Sequence, residues 1–218
     1  MHRISLVATT LAVATSAAFL PLAAQSIAGV PVEFGVMGGF TKPVGNLAGD
    51  ANHSWNVGGL MSLGAPSSHV SFRLDGQWAQ LNGREFGGAL LCFGCVGSSS
   101  RTDYRVLNST ANIVYGGTLS GPTRLYLIGG VGVYNERGTK FLTTTYNMSD
   151  VHTSQQESVT RFGLNGGAGA RFHFASHAAF IEARYHNLFG RRALIANGIS
   201  GGSLASFQFV PINVGFIF

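Results

Sequence analysis

Residues 69–78 read His-Val-Ser-Phe-Arg-Leu-Asp-Gly-Gln-Trp. In an extended chain successive side chains point to opposite sides, so Val70, Phe72, Leu74 and Trp78 share one face and Ser71, Arg73, Asp75 and Gln77 the other. A helix would scatter both sets around its axis. Residues 179–190 repeat the pattern, with Ile181, Ala183, Tyr185 and Phe189 opposite Glu182, Arg184 and His186. Alternation over such lengths predicts two-faced strands.

Working outward, six more segments alternate in the same way: approximately 32–40, 54–64, 104–116, 123–135, 161–174 and 207–218, each bounded by Gly, Pro, Asn, Asp or Ser. The connections alternate too. Those at 65–68, 117–122 and 175–178 are short, whereas 41–53, 82–103, 136–160 and 191–206 are long, polar and rich in Gly, Ser and Thr. Eight strands joined by turns that swap between short and long predict an all-β, eight-stranded antiparallel up-and-down barrel, with both termini at the short-turn end. A strand of about 10 residues tilted by about 45° spans roughly 23 Å, which matches the apolar band of a transmembrane barrel.

A soluble barrel would alternate as well, with its polar face outside. Composition separates the two. Charged residues make up 11% of the chain, against roughly 25% in ordinary soluble domains, and glycine occurs 31 times. Phe40, Trp55, Trp78, Tyr104, Tyr115, Tyr134 and Phe189 sit near predicted strand ends, where interfacial girdles lie. The net charge of +5 reflects few acids, and no basic stripe supports nucleic-acid binding. After the N-terminal segment no run approaches the roughly 18 apolar residues of a spanning helix.

The N-terminal segment has its own signature. Met1-His2-Arg3 is a short basic start, Ile4 to Leu22 is apolar or small, and Leu22-Ala23-Ala24-Gln25 resembles a cleavage region. Residues 1–24 are therefore expected to be a cleaved secretory signal peptide, and 25–218 the barrel.

Gly129-Gly130-Val131-Gly132-Val133-Tyr134 and Gly166-Gly167-Ala168-Gly169-Ala170-Arg171 are near-copies. They lack the strand-to-helix turn and the further glycine of a phosphate loop, so they read as small strand residues that make room for Tyr or Arg on neighbouring strands. Cys92 and Cys95 lie in the second long connection. In an exported protein a local disulfide is the default for such a pair, with free thiols the alternative. Two cysteines cannot furnish a structural zinc site, and no metal or cofactor is expected.

The predicted inner faces carry Arg73 and Asp75, Arg171 and His173, and Glu182, Arg184 and His186, with Asn108, Asn112 and Asn165. These side chains form either a polar pore or a structural plug. An eight-stranded barrel is only wide enough for its side chains to fill it, which favours a plug of paired charges. Catalysis has little support: Glu182 and His186 are four residues apart on one strand face, about 13 Å between Cα atoms.

Taken together, the mature chain resembles the small outer-membrane β-barrel superfamily of the OmpA, OmpX and OmpW type. The residues that carry this are Leu125-Tyr126-Leu127-Ile128-Gly129-Gly130-Val131-Gly132, Phe162 to Phe172, Ile181-Glu182-Ala183-Arg184-Tyr185, and the closing segment Phe207-Gln208-Phe209-Val210-Pro211-Ile212-Asn213-Val214-Gly215-Phe216-Ile217-Phe218. In that superfamily a last strand ending on an aromatic, with apolar residues alternating before it, is read by the barrel-assembly machinery. Val210, Ile212, Val214, Phe216 and Phe218 match position by position. Pro211 departs from a plain strand, since it cannot donate to a ladder, and predicts a bulge or a missing bond. Outer-membrane lipid A deacylases of similar size carry a His-x-Ser-Asn stretch, whereas this chain has His186-Asn187-Leu188-Phe189 without the serine.

The resemblance implies an integral protein of the Gram-negative cell outer membrane, exported through the periplasm, monomeric, surrounded by lipid and lipopolysaccharide, and not an enzyme. Its expected role is structural and surface-interactive, through four external loops. A narrow channel for small or hydrophobic molecules is the alternative, and a lipid-modifying enzyme the third.

Overall fold

A computed structural model describes residues 25–27, 29–64, 68–88, 95–118, 122–146, 149–174, 177–192 and 205–218. Eight long strands dominate: β1 Val30–Val44, β2 Ser54–Leu63, β3 Val70–Gly83, β4 Cys95–Thr118, β5 Thr123–Tyr146, β6 Ser149–Phe174, β7 His177–Arg192 and β8 Ala205–Ile217. Each pairs antiparallel with the next in sequence. The ring closes where β8 pairs with β1, from Gln208↔Val44 to Ile217↔Gly35. Short strands Gln25–Ile27, Ala51–Asn52 and Phe86–Gly88 add to β1, β3 and β4 respectively. A single helical turn, α1 Leu47–Asp50, sits in the first long connection and buries Leu47.

Alternation assigns the two faces. On β8, Phe207, Phe209, Asn213 and Ile217 are buried in the lumen, whereas Val214 and Phe216 are exposed on the wall. On β3, Arg73, Asp75 and Gln77 are buried, and Val70, Phe72 and Leu74 exposed. The outward positions Phe34 to Phe40, Trp55 to Met61, Val70 to Trp78, Leu107 to Tyr115, Leu125 to Val133, Phe162 to Phe174, Ala179 to Phe189 and Val210 to Phe216 include no charged residue. Such a wall loses little by leaving water for hydrocarbon, and closure satisfies the backbone groups that lipid could not. No helix among the described residues is long and apolar enough to cross a membrane.

Two expectations need correction. The stretch 136–160, read as a loop, is strand throughout most of its length: β5 continues to Tyr146 and β6 begins at Ser149, paired from Glu136↔Val159 to Tyr146↔Ser149. Much of 82–103 is likewise strand, since β4 starts at Cys95 and pairs with β5 over that range. Neither face of Ser149 to Thr160 is covered, so no apolar alternation marks it, although its Thr residues favour strand. Second, Tyr104 and Tyr134 are not girdle residues. They are 4% and 0% exposed inside the barrel, while Phe40, Trp55, Tyr115 and Phe189 remain outside and Trp78 packs against Trp55 at 4.6 Å. The inner face of β8 carries Phe207, Phe209 and Ile217 beside Asn213.

At Pro211 the ladder to β7 loses its rungs opposite Arg184 and Tyr185 and resumes at His186↔Phe209 in unchanged register, whereas Pro211↔Thr41 is kept on the β1 side. The result is a gap and not a bulge; the only register shift between these strands lies between Leu188 and Arg192. Residues 1–24, assigned to a signal peptide, and Cys92 lie outside the described residues, so the proposed Cys92–Cys95 disulfide falls there too.

Candidate functional site

The lumen is built from the middle outward. β3 and β7 stand opposite each other in a ring of eight, so their inward side chains meet across its diameter. Arg73 grips Glu182 through a fork, Nη1 to Oε2 at 2.8 Å and Nη2 to Oε1 at 3.2 Å, and donates from Nε to Asp75 Oδ1 at 2.7 Å. Arg184 meets the same two acids, with Nη1 at 3.1 Å from Asp75 Oδ2 and Nε at 2.7 Å from Glu182 Oε1. Two arginines and two carboxylates thus share one closed set. Asn112 donates to Asp75 at 2.6 Å and Tyr126 to Glu182 at 2.8 Å, which fills further acceptor positions. All four charged side chains are at most 5% exposed, so each depends on the others for what water would have supplied.

Glycine makes this packing possible. A Cβ at Gly169 would run into the phenol of Tyr126, and one at Gly167 would lie 2.8 Å from Arg184. The near-copy motifs therefore provide space on β6 for bulky partners on β5 and β7.

Toward the long-loop end a neutral layer follows: Gln77 donates to Asn56 at 3.0 Å and to Asn213 at 3.1 Å, and Asn56 to Thr41 at 3.0 Å. Above it lies an apolar plug that includes Leu47, Leu81, Tyr104, Tyr134, Phe207 and Phe209. His186 belongs to this level, stacked on Phe209 at 4.9 Å and joined to Tyr134 through Nδ1 at 2.9 Å. Glu182 and His186 therefore engage different partners and form no acid-base pair. At the short-turn end a second apolar cluster contains Met37, Leu60, Ala178, Phe180 and Ile217. Arg73 lies 5.3 Å over the Phe180 ring.

Of the ten polar inner-face residues singled out in the sequence, Arg73, Asp75, Glu182, Arg184 and Asn112 are brought together, while His186 and Arg171 are not part of their set. Arg171 sits at the short-turn mouth, where it holds Glu33 through two bonds of 2.9 and 2.7 Å. Sequence reasoning missed Tyr126, Glu33, and the pair Arg161–Glu136 at 3.4 Å. Parity along β1 and β5 would have found the first two; Glu136 fell within a segment read as loop. Among the described residues no group of three or more His, Cys, Asp or Glu gathers as a metal site requires.

Strands β4, β5 and β6 run 24, 24 and 26 residues in all, far beyond what the apolar band uses. The extension past Glu136 reaches about 35 Å at roughly 3.3 Å per residue. Residues 149–160 of β6 are exposed on both faces. Where the extension leaves the apolar band, Gln80, Arg105, Arg137 and Ser158 form one outward-facing row across β3 to β6.

A closed ring of eight strands, an uncharged wall and a filled lumen define a transmembrane β-barrel. The sequence places it further: the chain belongs to the outer membrane protein beta-barrel domain family, which it matches over residues 7–218. It is an integral outer-membrane protein. A major outer membrane protein from Thermus thermophilus has the same fold, with a TM-score of 0.53 at 13% identity, over 86% of this chain and 98% of that one. Neisserial surface protein A is similar at a TM-score of 0.46 and 12% identity, over 85% and 95% of the two chains. The attachment invasion locus protein Ail of Yersinia pestis gives 0.39 and 14%, over 85% and 98%. No curated protein sequence matches the chain. In barrels of this class short turns face the periplasm and long connections the exterior.

Proposed function

We propose that this protein works through its outer surface: a plugged barrel anchors a sheet that projects from the membrane and engages the lipopolysaccharide layer and external partners. The observation that carries the reading is the contrast between a lumen closed across its diameter by the Arg73–Glu182–Arg184–Asp75 set and strands that continue well past the membrane. A barrel built to conduct has no use for such a plug. A barrel built to display does, because the plug makes the support rigid.

The outward row at the exterior edge of the apolar band supplies the contact chemistry. Arg105 and Arg137 are direct cross-strand partners, and like charges placed so repel unless an anion lies between them. Phosphate groups of lipopolysaccharide reside at that depth and fit the guanidinium fork. Residues 1–24 act as the export signal in this reading, and catalysis has no part in it.

The test is binding of the refolded chain to immobilised lipopolysaccharide together with planar-bilayer recording. Saturable retention that falls about tenfold in the Arg105→Gln, Arg137→Gln double variant is the expected result, from the loss of two charge-assisted contacts. Equal retention by the variant would remove the lipid contact. Step conductance from the intact protein would remove the plugged-anchor reading.

A further inference from the structure

The charges inside the barrel do not balance, and the imbalance has a location. Among the described residues five arginines face the lumen, Arg73, Arg124, Arg161, Arg171 and Arg184, against four carboxylates, Glu33, Asp75, Glu136 and Glu182. Four of the arginines are paired with these acids. Arg124 is not: its contact is a 3.2 Å bond from Nη1 to the backbone oxygen of Ser68. All nine acidic side chains of the sequence lie among the described residues, and none is within ion-pair distance of Arg124.

Arg124 on β5 is also the direct cross-strand partner of Arg171 on β6. Two like charges facing each other across a ladder are destabilising. Glu33 answers Arg171 only, through Nη1 and Nη2, and Arg171 Nε is buried without an acceptor among the described residues. Both arginines line a cavity of about 50 Å³ at the periplasmic mouth. Arg73, Tyr126 and Phe180 line it as well, and its remaining polar walls come from Ser62, Ser68, Ser71 and His69.

We propose that this cavity is a binding site for a single phosphate group, either inorganic phosphate or the phosphate of a phospholipid headgroup from the periplasmic leaflet. At roughly 10–15 Å³ for each water-sized group, the space takes roughly three to five such groups, which suits one tetrahedral oxyanion and excludes a sugar. Guanidinium N–H groups approach from two strands and hydroxyls from two others, so donors surround the ligand in three dimensions. A planar carboxylate would leave part of that set unused, whereas four phosphate oxygens would not. One bound anion offsets the excess charge and turns the Arg124–Arg171 repulsion into a bridge.

The experiment follows the arginine Nε–Hε NMR resonances of the full chain folded in maltoside micelles, which contain no phosphorus. Inorganic phosphate is titrated in one arm and short-chain phosphatidylglycerol in the other. Saturable shifts of the Arg124 and Arg171 signals with inorganic phosphate assign the free anion; saturation with the lipid alone assigns the headgroup. Arg124→Gln should weaken the response of Arg171 at least about tenfold, while Arg124→Lys, which keeps the charge and loses the fork, should weaken it less. The wild-type titration stands even if a variant folds poorly. Absence of saturation in both arms, or an unchanged Arg171 response in folded Arg124→Gln, overturns the proposal.

Discussion

Glu182 concentrates the lumen's electrostatics in one side chain: it accepts from Arg73 and Tyr126 and contacts Arg184. Removing its charge leaves Arg73 and Arg184 with Asp75 as their only shared carboxylate in a buried setting. Glu182→Gln should therefore cost about 3–5 kcal/mol, the usual consequence of orphaning a buried partner, seen as a lower urea midpoint for Trp fluorescence. Replacing Arg73 by Met and Glu182 by Leu together should be less harmful than Glu182→Gln alone, because no unpaired charge remains in that pair. Glycine offers a second residue-scale test. Gly169→Ala should destabilise the barrel, since the new methyl meets Tyr126, whereas Gly166→Ala, whose Cβ would meet only the Ile128 carbonyl at 3.9 Å, should be nearly neutral on the same urea scale. Alternation was enough to place Arg73, Asp75, Glu182 and Arg184 on inner faces. It carries no information on partners, because which strands oppose each other depends on ring closure, and so the bond from Tyr126 to Glu182 and the separate Arg171–Glu33 pair were not legible.

At the scale of elements, periodicity found strands wherever one face meets lipid and the other the lumen, and failed where neither does. Ser149 to Thr160 is exposed at every position, so nothing in its sequence alternates with burial. Its strand character was readable only as weak β-propensity in the surrounding threonines, which a polar, Gly- and Ser-containing context obscures. Tyr104 and Tyr134 were misread for a related reason: an aromatic near a strand end fits an interfacial girdle and a lumen plug equally well, and parity alone separates the two. Pro211 shows the opposite case, a local signal with a legible consequence. Its missing N–H coincides with the lost rungs opposite Arg184 and Tyr185. Pro211→Val should restore a ladder bond to β7 and raise stability by up to about 1 kcal/mol, read as a higher urea midpoint with an unchanged slope.

For the whole molecule, the position of the plug relative to the projecting sheet decides how separable the two are. Every cross-lumen contact between β3 and β7 lies within the apolar band, below the point where β5 and β6 leave the barrel. The extension is held by its own ladder from Gly138↔Glu157 outward and contributes nothing to the Arg73–Glu182 set. Arg137 and Ser158 already face each other at its base, so residues 138–157 can be replaced by Asn-Gly, the pair that fits a two-residue hairpin turn. β4 will fray before Tyr104 in that variant, since its partners from Gly138 to Tyr146 are gone. The barrel itself should keep its urea midpoint to within about 1 kcal/mol of stability, because burial and ion pairing below are untouched. Planar-bilayer recordings should remain free of conductance steps, as the plug does not depend on the sheet. A variant that opened a pore would show that the extension, and not the lumen, seals the barrel; one that failed to fold would show that the long hairpin nucleates closure of the ring.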